Sequence, residues 1–398
     1  MKILSISPKV PIPAYDGGKL SIFGVLKTLS KMGHEIDFMA YLKDTNYHFA
    51  QRELKKYCNP ILLNVQTENS YWGMLKNLFS PIPYNISKYH RKELTKSIRN
   101  YFKTNSPDIV HVTNLHMAWI VDEIRKLSDV PIVLRQENLE MTIMKRFSEK
   151  QSNYLIKWYS FIQYKKFIKY EPFLCGKFDK CIMITQKDAE ELKKLNSKTK
   201  VVAIPLGIDD NLLNYHKSDV DPHTLAHIGH LDWYPNYDSL SWFLDDIFPK
   251  VLNKFPDTKL YIYGGDLPKS LVIPKNIKKN IIVRGFVDDL WSELITKTLA
   301  IVPLRIGSGL RVKILEMLAV GQNIISTSIG KEGIDVKDPN HLLIADNPSD
   351  FVEKIERFFK NYYNNTEMIK KGKNLIKEHY TWEIIGKRFE NVYNELRK

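Results

Sequence analysis

Short, nearly continuous runs of apolar residues recur along the first half of the chain, with amphipathic segments between them. These runs are KILSIS, IDFMAYL, ILLNV, DIVHV, PIVLRQEN, CIMIT and KVVAIPLG. Segments such as KLSIFGVLKTLSKMG and RKELTKSIRNYFKTN instead show helical periodicity. Strands that are apolar on both faces and alternate with helices are typical of a parallel sheet covered on both sides. The first half therefore predicts an α/β domain.

The second half repeats this pattern after a polar segment near residues 205–222. Its strand-like runs are TLAHIGHL, KLYIYGG, IIVRGF, LAIVPL, NIISTS and HLLIAD, and PSDFVEKIERFFKNYY and the stretch from about residue 366 read as helices. A chain of 398 residues is long enough for two cores. We expect two Rossmann-like domains facing a cleft, over residues 1–205 and 206–378, with a C-terminal helix at 379–398 returning to the first domain.

The net charge of +14 lies entirely in the first half, where residues 1–205 hold 33 basic and 19 acidic residues. Such an asymmetry favours an acidic substrate, an anionic lipid surface or nucleic acid, while a lysine-rich genome composition would also produce it. No nucleic-acid-binding module is recognisable, so we expect no nucleic-acid partner. Three scattered cysteines, with neither a leader-like start nor a membrane-spanning run, favour a cytoplasmic location.

Three glycine-containing loops follow predicted strands, where parallel sheets bind their ligands. Asp16, Gly17 and Gly18 follow the first strand, and Gly229 and His230 follow the first strand of the second half. Glycine lets the backbone approach a ligand closely, and His230 could donate a hydrogen bond to an anion. A plain turn and a structural histidine are the alternatives.

The third loop lies in PLRIGSGLRVKILEMLAVGQNII, residues 303–325. Gly307 and Gly309 free the backbone ahead of a helix whose N-terminal N–H groups point at the loop. Arg311 and Lys313 add two positive charges suited to a pyrophosphate, and Glu316 could accept hydrogen bonds from ribose hydroxyls. The alternative is an ordinary surface helix with Lys/Glu pairs.

The order GHLDWYPN, RGFVDDL, PLRIGSGLRVKILEMLAVGQNIISTSIGKEGI resembles the second domain of a GT-B glycosyltransferase of the large retaining group 1, family-4-like family. The resemblance implies a nucleoside-diphosphate sugar bound by the second domain, an acceptor bound by the first, and transfer with retention. Glu316 matches the second glutamate of the family's Glu-x7-Glu signature, which implies a contact to ribose. Ser308 stands where the first glutamate is usual, so Ser308 or nearby backbone amides would contact the sugar.

Many members of this family also carry an arginine and a lysine after the glycine that corresponds to Gly229. This chain has His230 and Asn236 there, so we expect Arg311 and Lys313 to neutralise the diphosphate. In the first domain the resemblance implies a histidine near the sugar, for which His116 is the candidate, although the usual spacing lies nearer Thr113. It likewise implies that Glu137 and Asn138 face the cleft, whereas both would otherwise cap a strand end.

No Asp-x-Asp motif is placed to hold a metal, and we expect neither a metal nor another cofactor. Residues 153–174 form a helix-like run rich in aromatics and lysines, a composition that suits either core packing or an interfacial helix. The expected acceptor is a glycan or lipid-linked sugar, with peripheral attachment to the anionic inner face of the plasma membrane.

The sequence thus predicts a retaining hexosyltransferase of cell-surface polysaccharide, lipopolysaccharide or glycolipid synthesis. Two alternatives remain open. A GT-B epimerase or hydrolase of sugar nucleotides would need acid/base side chains in both domains, which the sequence does not reveal. A catalytically degenerate sugar-nucleotide-binding protein would be consistent with Ser308 and with the missing lysine.

Overall fold

The computed structural model describes residues 1–14, 17–42, 47–151, 153–216, 219–268, 270–307, 309–361 and 366–397. The chain divides into two compact units. The first unit comprises Met1–Gly207 together with Trp382–Lys398, and the second comprises Ile208–Thr381. The domain boundaries expected from the sequence lie a few residues before these positions.

The strands follow the apolar runs. They are β1 (Lys2–Ser7), β2 (Glu35–Leu42), β3 (Asn59–Asn64), β4 (Ile109–Thr113), β5 (Ile132–Gln136), β6 (Lys180–Met183), β7 (Val201–Ala203), β8 (Asp221–Ile228), β9 (Lys259–Tyr263), β10 (Ile281–Gly285), β11 (Lys297–Val302), β12 (Ile324–Ser326) and β13 (Leu343–Ile344). Every run that predicted a strand overlaps one of them, because strands buried on both faces need apolar residues at successive positions.

Helices lie between the strands. They are α1 (Gly17–Lys31), α2 (Tyr47–Leu54), α3 (Tyr71–Asn77), α4 (Tyr84–Ser87), α5 (Lys92–Thr104), α6 (Val121–Arg125), α7 (Glu140–Lys150), α8 (Tyr154–Cys175), α9 (Gln186–Leu195), α10 (Tyr234–Trp242), α11 (Phe248–Lys254), α12 (Leu290–Leu294), α13 (Val312–Val320), α14 (Pro348–Lys360), α15 (Thr366–His379) and α16 (Trp382–Leu396). Shorter 3₁₀ segments span Leu115–Ile120, Asp210–Asn214 and Lys278–Asn280, and a π-helical turn spans Phe243–Ile247.

Each unit contains one parallel sheet with the same winding. The first sheet has the order β3-β2-β1-β4-β5-β6-β7, and the second has the order β10-β9-β8-β11-β12-β13. In both sheets the strand order runs outward in one direction up to the third strand and then continues on the other side of the first. The reversal lies between β1 and β4 in the first sheet and between β8 and β11 in the second. Ligands of doubly wound sheets bind at this switch point, beyond the carboxyl ends of the strands. The two parallel α/β domains predicted from the sequence are confirmed.

Apolar cores cover both faces of each sheet. In the first unit, Ile3 of β1 packs toward α1 and α16, whereas Leu4 packs on the opposite face with residues of α5 and α8. This alternation follows from the two-residue period of a strand.

Helix α16 belongs to the core of the first unit. Its first residue, Trp382, is so close to Gly24 of α1 and to Gly207 that a Cβ added at either glycine would lie 1.8 Å and 2.4 Å from the indole, respectively. Gly386, one turn further on, likewise lies against the side chains of Thr28 of α1 and of Met32, which follows α1. Small residues on both sides therefore allow α16 to pack directly against α1 and complete one face of the sheet.

Within the described part of the chain, no helix combines the length and the hydropathy needed to cross a bilayer.

Candidate active site

Two glycines bring the ends of β8 and β9 into backbone contact in the second unit. Gly264 follows β9 at φ +112°, and a Cβ there would lie 2.7 Å from the carbonyl carbon and oxygen of Gly229. Gly229 follows β8 at φ +156°, and its N–H donates to the carbonyl of Tyr263 at 3.0 Å. Side chains are excluded at both positions, so the backbone itself forms the surface at the switch point.

Lys313 of α13 lies directly beneath this glycine turn. Its Nζ donates to the carbonyl of Ile228 at 2.8 Å and to the side-chain oxygen of Asn236 at 3.2 Å. The Asn236 amide in turn donates to the carbonyl of His230 at 2.9 Å. The side chain of Lys313 therefore hydrogen-bonds to Ile228, just before the loop that follows β8, and to Asn236, just after that loop. Burial, with a smaller contribution from Arg311, lowers the pKa of Lys313 to about 7.

Arg311 precedes α13 and is buried against the glycine loop. Its Nη1 donates to the carbonyl of Gly309 at 3.0 Å, and its guanidinium lies 5.9 Å from the centre of the Trp233 ring. A Cβ at Gly307, where φ is +145°, would lie 2.1 Å from Nη2 of Arg311. Glycine at 307 therefore allows the Arg311 guanidinium to pack against the backbone before the N-terminus of α13. From there its positive charge lowers the pKa of Lys313.

Glu316 lies on α13, one turn beyond Lys313. Burial raises the pKa of its carboxyl group to about 7, and among the described residues its carboxylate has no hydrogen-bond partner. A desolvated carboxylate without a partner favours ligand groups that donate hydrogen bonds, such as hydroxyls. Glu316 therefore provides an acceptor on the same helix as the two cations.

Sequence reasoning missed an aromatic group beside the glycine turn. The ring of Phe286, which follows β10, is 76% exposed and lies 5.3 Å from the ring of His230 and 3.5 Å from a Cβ placed at Gly265. The Gly–Phe pair in RGFVDDL is the feature of the sequence that could have indicated this aromatic ring. Exposed aromatic rings beside a strand-end turn offer a flat surface on which a planar ligand group can stack.

Two further residues of this loop are Ser308, which the sequence predicted to contact the sugar, and Arg305. Ser308 lies outside the described residues. Arg305, the third cation of the segment, forms a salt bridge with Asp238 of α10 at 2.7 Å and lies over the Trp242 ring. Its charge is thus already compensated by a carboxylate.

The first unit also places its candidate residues at a switch point. Gly17 and Gly18 open α1 after β1, while Asp16 lies outside the described residues. His116 lies in the 3₁₀ segment after β4, with its ring centre 5.0 Å from that of Tyr89. Burial lowers the pKa of His116 to about 4, with help from the charges of Lys88 and Lys9. His116 is therefore neutral at physiological pH.

Glu137 and Asn138 follow β5, next to β4 in the sheet. Glu137 interacts electrostatically with Arg135, which is buried under α1 and α16 with its guanidinium 4.8 Å from the Phe389 ring centre. Desolvation lowers the pKa of Arg135 to about 10, and the charge of Glu137 opposes that shift. Part of the charge of Glu137 thus compensates a buried cation, a role the sequence did not suggest.

A second buried carboxyl group joins helices α7 and α8 of this unit. Glu171 of α8 accepts hydrogen bonds from the backbone N–H groups of Glu140 at 3.1 Å and Met141 at 2.9 Å, at the start of α7. Burial raises the pKa of Glu171 to about 8 and that of Glu140 to about 7. Glu171 therefore caps the α7 N-terminus from a neighbouring helix.

Two successive parallel-sheet domains, each with glycines at its switch point, define the class of protein. Residues 15–212 match the sequence model described as Glycosyltransferase Family 4, and residues 222–361 match the model described as Glycosyl transferases group 1. The chain therefore belongs to the group 1, family-4-like glycosyltransferases, as the sequence motifs predicted.

Two individual proteins are similar to all or part of the chain. The chain is 24% identical over 406 residues to an uncharacterized 44.6 kDa protein in the cps region of Klebsiella pneumoniae, with 99% of each chain covered. It is 25% identical over 241 residues to a phosphatidylinositol N-acetylglucosaminyltransferase component from Arabidopsis thaliana, and the match covers 55% of this chain and 49% of the relative.

Solved structures confirm the GT-B fold. Sucrose-phosphate synthase from Thermosynechococcus elongatus superimposes with a TM-score of 0.71 at 14% identity, covering 100% of this chain and 99% of the other. HepE from Anabaena, solved in complex with UDP and glucose, gives a TM-score of 0.68 at 11% identity, with 99% of each chain covered.

Proposed function

We propose that this glycosyltransferase moves a hexose, with retention of anomeric configuration, from a nucleoside-diphosphate sugar to a glycan or lipid-linked acceptor. One observation carries the proposal: the ammonium group of Lys313 is bound to both ends of the turn that contains Gly229. A positive charge, a glycine backbone and a helix N-terminus at the switch point of a parallel sheet form a site for an anion.

The two cations have a direct chemical role in this proposal. Departure of a nucleoside diphosphate places negative charge on the leaving oxygen, and preorganised positive charge there lowers the barrier most. Lys313 and Arg311 supply that charge, which is the substitution we expected for the lysine missing after Gly229. Glu316 accepts from the ribose hydroxyls, while Ser308 and the amides of Gly307 and Gly309 contact the sugar. No metal is required.

The first unit supplies the acceptor side. His116, neutral because burial lowers its pKa, donates or accepts a hydrogen bond at a sugar hydroxyl without adding charge. Asp16, Gly17 and Gly18 allow a ligand to approach the start of α1. Glu137 and Asn138, at the neighbouring strand end, provide acceptors and an amide donor for the acceptor substrate.

Two relatives support a proposal for the biological setting. The Klebsiella relative lies in a cps region and the Arabidopsis relative is named for transfer to phosphatidylinositol. We therefore assign the protein to synthesis of a cell-surface polysaccharide or glycolipid such as lipopolysaccharide, at the cytoplasmic face of the membrane where a lipid-linked acceptor resides.

A donor panel tests this function. Purified protein is incubated with UDP-, GDP- and ADP-sugars, release of the nucleoside diphosphate is followed, and the anomeric configuration of the product is read by NMR. Lys313→Met should lower turnover at least a hundredfold, which corresponds to about 2.7 kcal/mol of lost transition-state stabilisation. Lys337→Met, a change at an exposed lysine of the same unit, is the matched control.

The outcomes separate the alternatives. Unchanged turnover in Lys313→Met would contradict the proposed role of this lysine. A free sugar or an epimerised donor without glycoside formation would identify a hydrolase or epimerase. Nucleotide binding without turnover of any donor, in the presence of lipid extracts, would identify a binding protein.

A further inference from the structure

Helix α3 exposes large apolar side chains along one face. Tyr71, Leu75 and Phe79 lie four residues apart, so they follow one line along the helix and the turn after it. Trp72 borders the same line. Phe79 is 94% exposed and Trp72 is 75% exposed. Single exposed apolar residues are ordinary on protein surfaces, whereas three on one short helix and a fourth in the turn after it form a patch.

Helix α8 exposes a similar face in its first half. Tyr154, Trp158 and Phe161 lie at helical spacing, and Lys165 and Lys169 continue the same line. Tyr154 is 87% exposed. In the second half of α8 one side is buried, with Phe167 in the core of the first unit, while Lys169 and Phe173 remain exposed. Helix α8 is thus held in the domain by its C-terminal half, while its N-terminal half reaches into solvent.

Hydrogen bonds join the two helices. The side-chain oxygen of Asn77, the last residue of α3, accepts from Gln163 Nε2 and from Lys166 Nζ, both at 3.1 Å. Gln163 also accepts from the backbone N–H of Tyr84 at 2.8 Å, and the Tyr84 hydroxyl accepts from the N–H of Ser70 before α3. Helix α3 is therefore fixed at both ends, and its C-terminal end is hydrogen-bonded to the middle of α8.

Basic residues outnumber acidic ones in the two segments that carry these exposed side chains. Residues 145–169 contain seven basic residues and one acidic residue, and residues 71–79 contain one lysine and no acid. A partner protein that covered only an apolar patch would not require this charge. Aromatic side chains with lysines around them match the boundary between lipid headgroups and acyl chains, where aromatic rings insert and lysines meet anionic phosphates.

We propose that α3 and the first half of α8 form one docking surface for an anionic lipid bilayer. This aromatic–lysine surface consists of Tyr71, Trp72, Leu75, Lys76, Phe79, Tyr154, Lys157, Trp158, Phe161 and Lys165. It defines how the peripheral location proposed above is achieved, and its binding to lipid is independent of glycosyl transfer.

Vesicle co-sedimentation of the full-length protein tests the surface. Vesicles of phosphatidylcholine are compared with vesicles that contain phosphatidylglycerol as well, and we expect binding only to the anionic vesicles, weakened by salt. Trp72→Ser combined with Trp158→Ser should lower the partition coefficient at least tenfold. Phe49→Ser, a change at an exposed aromatic of α2 that lies next to Arg52, should leave it unchanged.

Charge reversal provides a second, independent comparison. Lys157→Glu with Lys165→Glu should reduce binding to anionic vesicles by about thirtyfold or more, since each lysine near such a surface contributes about 1 kcal/mol. Lys193→Glu with Lys194→Glu makes the same change in net charge on α9 of the same unit and should have little effect. Nucleoside-diphosphate binding should be the same in all variants, which separates this surface from the donor site.

Three results would overturn the proposal. The first is no binding to anionic vesicles, and the second is binding that neither pair of surface substitutions weakens. The third is a dimer in light scattering that the Trp72/Trp158 substitutions convert to a monomer, because a second copy of the chain would then cover the surface.

Discussion

Binding of a nucleoside diphosphate should draw a proton onto Lys313. In the empty site, burial and the charge of Arg311 hold the pKa of this lysine near 7, so most molecules carry a neutral amine at pH 8. A diphosphate placed at the glycine turn adds negative charge beside the amine. The charged form is then favoured, and the pKa of Lys313 rises toward its ordinary value of 10.5.

The size of the effect follows from these values. A group with a pKa near 7 is about one-tenth protonated at pH 8, and a rise of two pKa units makes it about nine-tenths protonated, so the complex takes up about 0.8 proton per bound ligand. A rise of two pKa units corresponds to about 2.7 kcal/mol of interaction between ammonium and diphosphate. That energy lies within the range of a strong charge-assisted hydrogen bond.

Isothermal titration calorimetry measures this uptake directly. Binding enthalpies for UDP, GDP and ADP at pH 8 are compared in Tris and in HEPES, and the difference divided by the difference in buffer ionisation enthalpy gives the protons taken up. Lys313→Met should abolish the uptake and weaken affinity. Glu316→Gln should retain the uptake, because a carboxyl with a pKa near 7 is already ionised at pH 8.

Two results would refute this reasoning. If a nucleoside diphosphate binds the native protein with the same enthalpy in both buffers, Lys313 does not meet the diphosphate. If Lys313→Met still takes up protons on binding the nucleoside diphosphate, another group is protonated, and the assignment of Lys313 as the titrating cation is wrong.

Three further predictions concern packing and stability. Gly24→Ala should lower the free energy of unfolding, measured in urea, by about 2 kcal/mol or more, because the added Cβ would overlap Trp382. Gly17→Ala on the same helix is the control: its Cβ would meet no atom within 4 Å, so the variant should be neutral or stabilising. Gly264→Ala should lower the melting temperature and abolish nucleotide binding, since its Cβ meets backbone atoms at 2.7 Å and its φ of +112° disfavours a side chain. Glu171, with a folded-state pKa near 8 and an ordinary value of 4.5, makes the native state bind more protons than the unfolded state between those pH values. Stability from this group is therefore present below pH 4.5 and lost as the pH rises to 8, on the order of 1 kcal/mol per unit. Glu171→Gln should make the pH dependence of the free energy of unfolding shallower by that amount, measured in urea at pH 5, 6.5 and 8, while the buried Glu140 and Glu316 keep their own contributions.

Much of the fold is readable from the sequence because its strands are buried on both faces and form continuous apolar runs. The pairing of Lys313 with the loop after Gly229 was also accessible. Both follow strands, β8 and β11, that adjoin at the switch point of the second sheet, so their loops must meet.

Other features depend on contacts between distant residues that no local pattern encodes. Helix α8 has aromatics and lysines on every side, so its hydropathy could not show that Phe167 is buried while Trp158 is exposed. The hydrogen bonds that Asn77 accepts from Gln163 and Lys166 of α8 likewise join residues more than eighty positions apart. Arg135 reads as a strand residue in the sequence, and only the packing of α16 shows it to be a buried cation.

The packing of α16 against α1 has a consequence for biosynthesis. A ribosome releases the first 207 residues well before Trp382, so the sheet that contains β1 lacks one of its covering helices while the whole second domain is made. The second domain, which is continuous in sequence, can fold as soon as it emerges. The first must wait with the apolar side of α1 uncovered until α16 leaves the exit tunnel. The order of completion is thus the reverse of the order of synthesis, and a chain that stalls before Trp382 exposes the very surface on which that tryptophan should pack.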